Sequence, residues 1–267
     1  MKSLKLLSAE LLKVTADIKA YWFNYIFGNL NVLFLFVGLF YAFSNSYDSP
    51  EGMFQFLFGL MLWYFGVHAI DLIALIVEEE ILEGTLEQIL MTKTAVINTL
   101  TYRIIAQIIF DTFKAVIMFV LCFLMFKIPL SIFLEVHWIS VIVIFFITLT
   151  GLYGIGYIIA GLSLLYKKVS AVASLSSNLI LYFSGIIIPL HKLPNIFFNI
   201  FANILPLKWG MKTLRFLMEN NYDIGVTVIN QNFVMLTGIS LIWILTGLFL
   251  FTLLKNSAIK KGNLGQY

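Results

Sequence analysis

Six stretches of this chain are each about twenty residues long, almost wholly apolar, and separated by short polar breaks. A helix needs ~20 consecutive apolar residues to cross the hydrocarbon layer. Backbone in lipid must also satisfy its own hydrogen bonds, so a bundle of membrane-spanning helices is the fold this pattern permits. Composition agrees: 61% of the 267 residues are hydrophobic and 12% are charged, against about 25% charged in a soluble domain. Mean hydropathy is +0.96. A water-soluble enzyme is excluded, and the connections are too short to hold a further soluble domain of ~100 residues. We read residues 1–267 as one all-α integral membrane domain.

The predicted spans are Tyr25 to Phe43, Met53 to Val77, Ile104 to Phe126, Trp138 to Leu165, Val169 to Ile188 and Phe233 to Leu254. Ahead of them, Leu4, Leu7, Leu11, Val14, Ile18 and Trp22 recur at spacings of three and four, with lysines and Asp17 between. That periodicity predicts an amphipathic helix over residues 1–23, lying in the membrane interface or packed on a partner. Glu10, Lys13 and Asp17 interrupt what would be the apolar core of a signal peptide. The single Cys122 lies in an apolar run, which excludes an intramolecular disulfide.

Between the fifth and sixth spans, residues 190–225 differ in kind. Ile196 to Leu205 and Trp209 to Met218 are apolar for only about ten residues each, with Pro206 between them. Stretches of that length fit re-entrant or interfacial helices better than spans. We expect two half-depth helices that dip in and return to the same face.

Basic residues orient the bundle. Lys2, Lys5, Lys13, Lys19, Lys93, Arg103, Lys167, Lys168, Lys255, Lys260 and Lys261 fall on the side of both termini. Lys127, Lys192, Lys208, Lys212 and Arg215 fall on the other. Eleven against five places both termini in the cytoplasm.

No Gly-x-x-x-x-Gly-Lys-Ser/Thr loop occurs, so the chain has no P-loop for nucleotide. His68, His137 and His191 stand on different segments and read as hydrogen-bonded histidines rather than metal ligands. The most informative stretch is the connector over residues 78–94, opening Glu78-Glu79-Glu80-Ile81-Leu82-Glu83. Gly84 permits a break, and Thr85 with Gln88 has the spacing of a capping box that would start a short helix. In helical phase, Glu80, Glu83 and Glu87 lie about 120° from Leu82, Leu86 and Ile89. These acids either sit in water or meet basic groups of another protein.

In the third span, Arg103, Gln107, Asp111 and Lys114 share one helical face. Ionisable groups in hydrocarbon cost at least ~2.5–3.5 kcal/mol each, so this face must meet protein or water. His68 and Asp71, one turn apart on the antiparallel second span, lie at similar depth. Asp71 with Arg103, or His68 with Asp111, would offset the cost. The face is a structural ion-pair network or the lining of a path. In the fourth span, Gly156-x-x-x-Ala160 allows close helix approach, expected within the chain.

Three blocks carry a family resemblance. Glu83-Gly84-Thr85-Leu86-Glu87-Gln88-Ile89-Leu90 resembles the coupling-helix region of ABC-2-type transporter permeases. Gly151-Leu152-Tyr153-Gly154-Ile155-Gly156 before the basic pair Lys167-Lys168 resembles a second block. Ser184 through Pro189 and Pro194, then Leu205-Pro206 and Arg215, resembles the entry to that family's re-entrant external helices. Val169 and Leu205 depart from the acid and the Asn that many members carry at those points.

The resemblance implies an exporter's permease subunit that dimerises, with itself or a related chain, in the plasma membrane. A separate ATP-binding cassette subunit would carry ATP and Mg and dock on Glu83, Gly84, Thr85, Leu86, Glu87 and Gln88; this chain would bind no cofactor. The cargo would be lipid-linked, peptide or drug-like, with membrane lipid and no nucleic acid as further partner. An ion- or proton-coupled carrier built on the Asp111–Lys114 face is the alternative, although no repeated halves of the kind common in carriers are seen. A membrane-embedded enzyme is a third reading, using His68 with Asp71 or Asp111 with Lys114 as its acid–base pair, but no nucleophile or metal motif accompanies either pair.

Overall fold

The computed structural model describes residues 2–43, 49–82, 84–85, 88, 91, 96–126, 128–166, 168–186, 196–220 and 230–260. Its elements are α1 (Lys2–Ala20), α2 (Trp22–Phe43), α3 (Pro50–Leu82), α4 (Val96–Met125) and α5 (Leu130–Glu135). They continue as α6 (Trp138–Tyr166), α7 (Ser170–Phe183), α8 (Ile196–Ile204), α9 (Pro206–Glu219) and α10 (Gln231–Lys260). No strand occurs among the described residues.

Among the described residues, five helices are long and apolar enough to cross a membrane: 22–42, 50–81, 101–125, 138–166 and 231–260. Among the described residues of the segment expected as the fifth span, Val169 to Ile188, the 14 residues Ser170–Phe183 are helical. At 1.5 Å per residue that helix is about 21 Å long, short of the ~30 Å hydrocarbon core. Ser184 and Gly185, the latter at φ 82°, turn the chain at its end.

The start of α3 follows local rules. Ser49 Oγ accepts the Gly52 N–H at 3.1 Å, and Pro50 takes the first helical position, where a missing N–H costs nothing. The helix then runs 33 residues, about 50 Å, so its ends project beyond the hydrocarbon. This revises the connector: residues 78–82 are the last turn of α3. The stop is a Schellman cap. The Gly84 N–H bonds Ile81 O at 3.2 Å and the Thr85 N–H bonds Glu80 O at 3.0 Å, with Gly84 at φ 70°.

At the centre of the bundle α6 packs along both α3 and α10, and α9 wedges among all three. Glycines make this possible. A Cβ on Gly154 would strike the Trp243 carbonyl group, and one on Gly247 would strike the Gly154 carbonyl oxygen. One on Gly156 would come within 2.8 Å of Ala69 O. The small-residue stripe of the fourth span thus packs within the chain. The α8–α9 corner rests on the same surface: Pro206 presses on Gly151, and Trp243 Nε1 donates to Ile204 O at 2.7 Å. By contrast, α2, α4 and α10 leave large apolar side chains such as Phe34, Phe113 and Leu245 uncovered, as lipid-facing helices do.

Candidate functional site

Where α3 ends and α4 begins, a charged hub ties three helices together. Arg103 of α4 donates from Nε to Glu10 Oε2 of α1 at 3.0 Å and from its terminal nitrogen to Glu80 of α3. Glu80 is 5% exposed and also accepts from the Thr85 hydroxyl. Two corrections follow. Arg103 pairs with Glu10 and Glu80, not with Asp71, because α1 folds back along α4 and brings its own carboxylate. Glu80 is therefore no part of an outward acidic side. The Thr85 hydroxyl turns its proton back to Glu80, closing α3. Gly84 is exposed, and Gln88 is helical and exposed. Glu83, Leu86 and Glu87 lie outside the described residues.

Two turns along α4, a second cluster centres on Asp111, 4% exposed. His68 Nε2 of α3 lies 2.9 Å from its Oδ2 and Lys114 Nζ 2.8 Å from its Oδ1, while Gln107 Nε2 donates to Oδ1 at 3.3 Å. The expected His68–Asp111 pairing is thus formed. Lys114 also stands 5.7 Å from the Tyr25 ring centroid. It borders an apolar groove of about 200 Å³ between α2 and α4, where Asn29 is the other polar lining residue. A carboxylate flanked by two bases compensates charge in a low-dielectric place, where an unpaired ion would be costly.

Asp71 stands apart from both clusters. With Glu78, Ser170 and Ala173 it lines a cleft of about 110 Å³ between α3 and α7. Its buried Oδ1 has no hydrogen-bond partner among the described residues. Glu78 has one, since its Oε1 accepts the Val169 N–H at 2.7 Å at the start of α7. His137 serves the start of α6, with Nδ1 3.2 Å from Ser140 Oγ.

On the opposite side of the bundle, Arg215 donates to Gly185 O at 3.0 Å and joins α9 to the turn after α7. Pro206 begins α9 on Gly151. Pro189, Pro194 and His191 lie outside the described residues. Sequence reasoning missed the environment of Lys208. It is 3% exposed, bonded to Asn203 Oδ1 at 2.5 Å and placed beside the Trp209 ring. The available signal was its position two residues after Pro206, in a stretch of apolar half-helices.

A family model described as ABC-2 type transporter matches residues 4–218, from α1 through most of α9. No curated protein matches the chain.

Proposed function

We propose, since the chain belongs to the ABC-2 type transporter family, that it is the permease subunit of an exporter driven by a separate ATP-binding subunit. The cargo is a lipid-linked, peptide or drug-like molecule moved outward across the plasma membrane. ATP and Mg act on the partner chain, and this chain contributes the path and the docking surface.

The Arg103 hub is the observation that carries this reading. It fastens α1, α3 and α4 together at the point where the chain emerges as the acidic connector. A push delivered to Glu83, Gly84, Thr85, Leu86, Glu87 and Gln88 would reach three helices through one side chain. Such contiguous ion-paired elements can carry coupling between distant sites. A connector that was only a solvated loop would gain nothing from that tether.

The α8–α9 pair supports the re-entrant reading of residues 190–225. Pro206 lies against Gly151, near the middle of the 29-residue α6, and α9 returns toward the end of α6 that holds Thr148 and Val141. In the six-span topology we adopt, α7 belongs to the fifth crossing. Both termini then lie in the cytoplasm, α1 rides in the interface above α4, and a second copy or related chain completes the path.

Purification of the tagged chain from native membranes tests the proposal. A stoichiometric ATP-binding subunit is expected, with ATP hydrolysis that cargo stimulates. Recovery of the chain alone, with no ATPase activity under conditions that keep it folded, would overturn it.

A further inference from the structure

The α8–α9 corner holds a cation that nothing among the described residues neutralises. Lys208 lies between Pro206, seated on Gly151, and Gly210, which abuts Thr148. It is therefore level with the middle of the 29-residue α6. An ammonium at such depth is costly, and those that persist mark binding sites and pathways. Its three donors meet one acceptor, Asn203 Oδ1, and the neighbouring charge acting on it is another cation, Lys212. The two ammonium groups stand 5.9 and 4.9 Å from the Trp209 ring centroid.

An indole face compensates part of a cation's desolvation but is no counter-ion. Contrast Lys114, which Asp111 meets at 2.8 Å. The cluster is backed by α3, α6 and α10. It opens on the side of Asn203, which is exposed, with Trp209 and Lys212 half-buried beside it. What this arrangement lacks among the described residues is an anion.

We propose that Lys208 and Lys212, with Asn203 and Trp209, form a seat for the phosphate or carboxylate group of an amphiphile within the membrane. The lysines supply charge, the Asn203 amide a directed hydrogen bond, and the indole a wall for the first carbons next to the headgroup. This rests on the transport reading above and narrows its cargo to anionic amphiphiles.

The test uses the full chain in phosphatidylcholine nanodiscs, with spin-labelled phosphatidylglycerol or phosphatidylcholine as probe. Expected is a several-fold preference for phosphatidylglycerol. Lys208→Met and Lys212→Gln should each reduce it about fivefold, as the loss of one cation near an anionic headgroup predicts. Lys260→Gln, at the far end of α10, should leave it unchanged. Lys208→Met should melt no lower than the parent, since it removes a buried charge and keeps the volume.

Displacement of the probe by inorganic phosphate would assign the seat to the phosphate group itself; no displacement would assign it to a lipid-borne anion. Asp223→Asn removes the one carboxylate of the 221–229 segment and should not alter the preference. A raised preference there would identify Asp223 as the lysines' own counter-ion and overturn the seat. Equal retention of both probes, or a preference that survives Lys208→Met and Lys212→Gln, would overturn it too. Co-purification of the ATP-binding subunit is scored on the same variants. Its presence without an anion preference sinks the seat alone, and an anion preference without any ATPase partner sinks the transport reading alone.

Discussion

Arg103 Nε stands 3.0 Å from Glu10 Oε2, an ion pair between residues 93 positions apart. The same guanidinium holds Glu80, so α1, α3 and α4 meet on one side chain. The first 20 residues are thereby joined to the bundle at the base of the connector, beyond whatever hold the interface has on them.

Arg103→Leu should therefore be severe. It leaves the Glu10 and Glu80 side chains, 12% and 6% exposed, without their cation. Breaking a buried pair from one side costs about 3–5 kcal/mol. We expect little folded protein by size-exclusion chromatography, and substantial recovery when Glu10→Leu and Glu80→Leu are added. A single variant that folds as well as the parent would show that solvent screens the hub.

The Asp111 cluster gives a graded series. Asp111→Leu abandons His68 and Lys114 together and should cost about 3–5 kcal/mol. His68→Phe leaves Asp111 paired with Lys114 and should cost much less. Thermal melting of the purified variants orders them. Transport per folded molecule should be kept in His68→Phe; its selective loss would make the cluster part of the cargo path.

How far the sequence reached depended on the range of the interaction. The long spans were legible because a length of apolar residues is a local property. His68 with Asp111 was legible because two antiparallel helices of known direction place equal depths opposite each other. Arg103 with Glu10 was not, since no period in either segment says that α1 folds back along α4. In the sequence Lys208 is only one of five basic residues on the side opposite the termini. Its burial follows from the docking of Pro206 on Gly151, a contact between segments about fifty residues apart. Apolar length alone predicts one continuous helix over Val169 to Ile188 and cannot register the turn at Ser184 and Gly185.

Close backbone contact makes a sharper prediction at Gly154. In Gly154→Ala the new methyl would meet the Trp243 carbonyl, which is backbone and cannot swing aside. Overpacking of this kind costs about 1–3 kcal/mol and sometimes more. Gly28→Ala, where no atom lies within 4 Å of the added Cβ, should cost nothing. Melting temperatures of the two variants side by side check the α6–α10 approach.

Orientation is open to chemical labelling. Single cysteines at Ser46 and Asn220, with Cys122 replaced, should react with an impermeant thiol reagent applied outside intact cells. Cysteines at Lys168 and Lys261 should react only after permeabilisation. Outside labelling at Lys261 would mean an odd number of crossings and would remove the re-entrant pair.

The connector's acids divide by what they touch. Glu80 faces inward onto Arg103 and the Thr85 hydroxyl, so Glu80→Lys should unfold the hub. In sequence Glu83 and Glu87 come after Leu82, the last residue of α3, and Gly84 with its φ of 70° sets the direction in which the chain leaves. If they meet basic groups on an ATP-binding subunit, reversing both charges removes attraction and adds repulsion at one interface. Exposed pairs contribute only about 0–1 kcal/mol to folding, so Glu83→Lys/Glu87→Lys should reach the membrane in normal amounts. Like charges set face to face across an interface cost several kcal/mol, so recovery of the ATP-binding subunit should fall sharply, or ATP hydrolysis should proceed without export. Replacing the pair by Gln should give an intermediate loss, since attraction goes but no repulsion replaces it. Unchanged partner recovery together with unchanged export in the Lys pair would mean that the acids only solvate the end of α3, and the docking surface would have to be sought elsewhere.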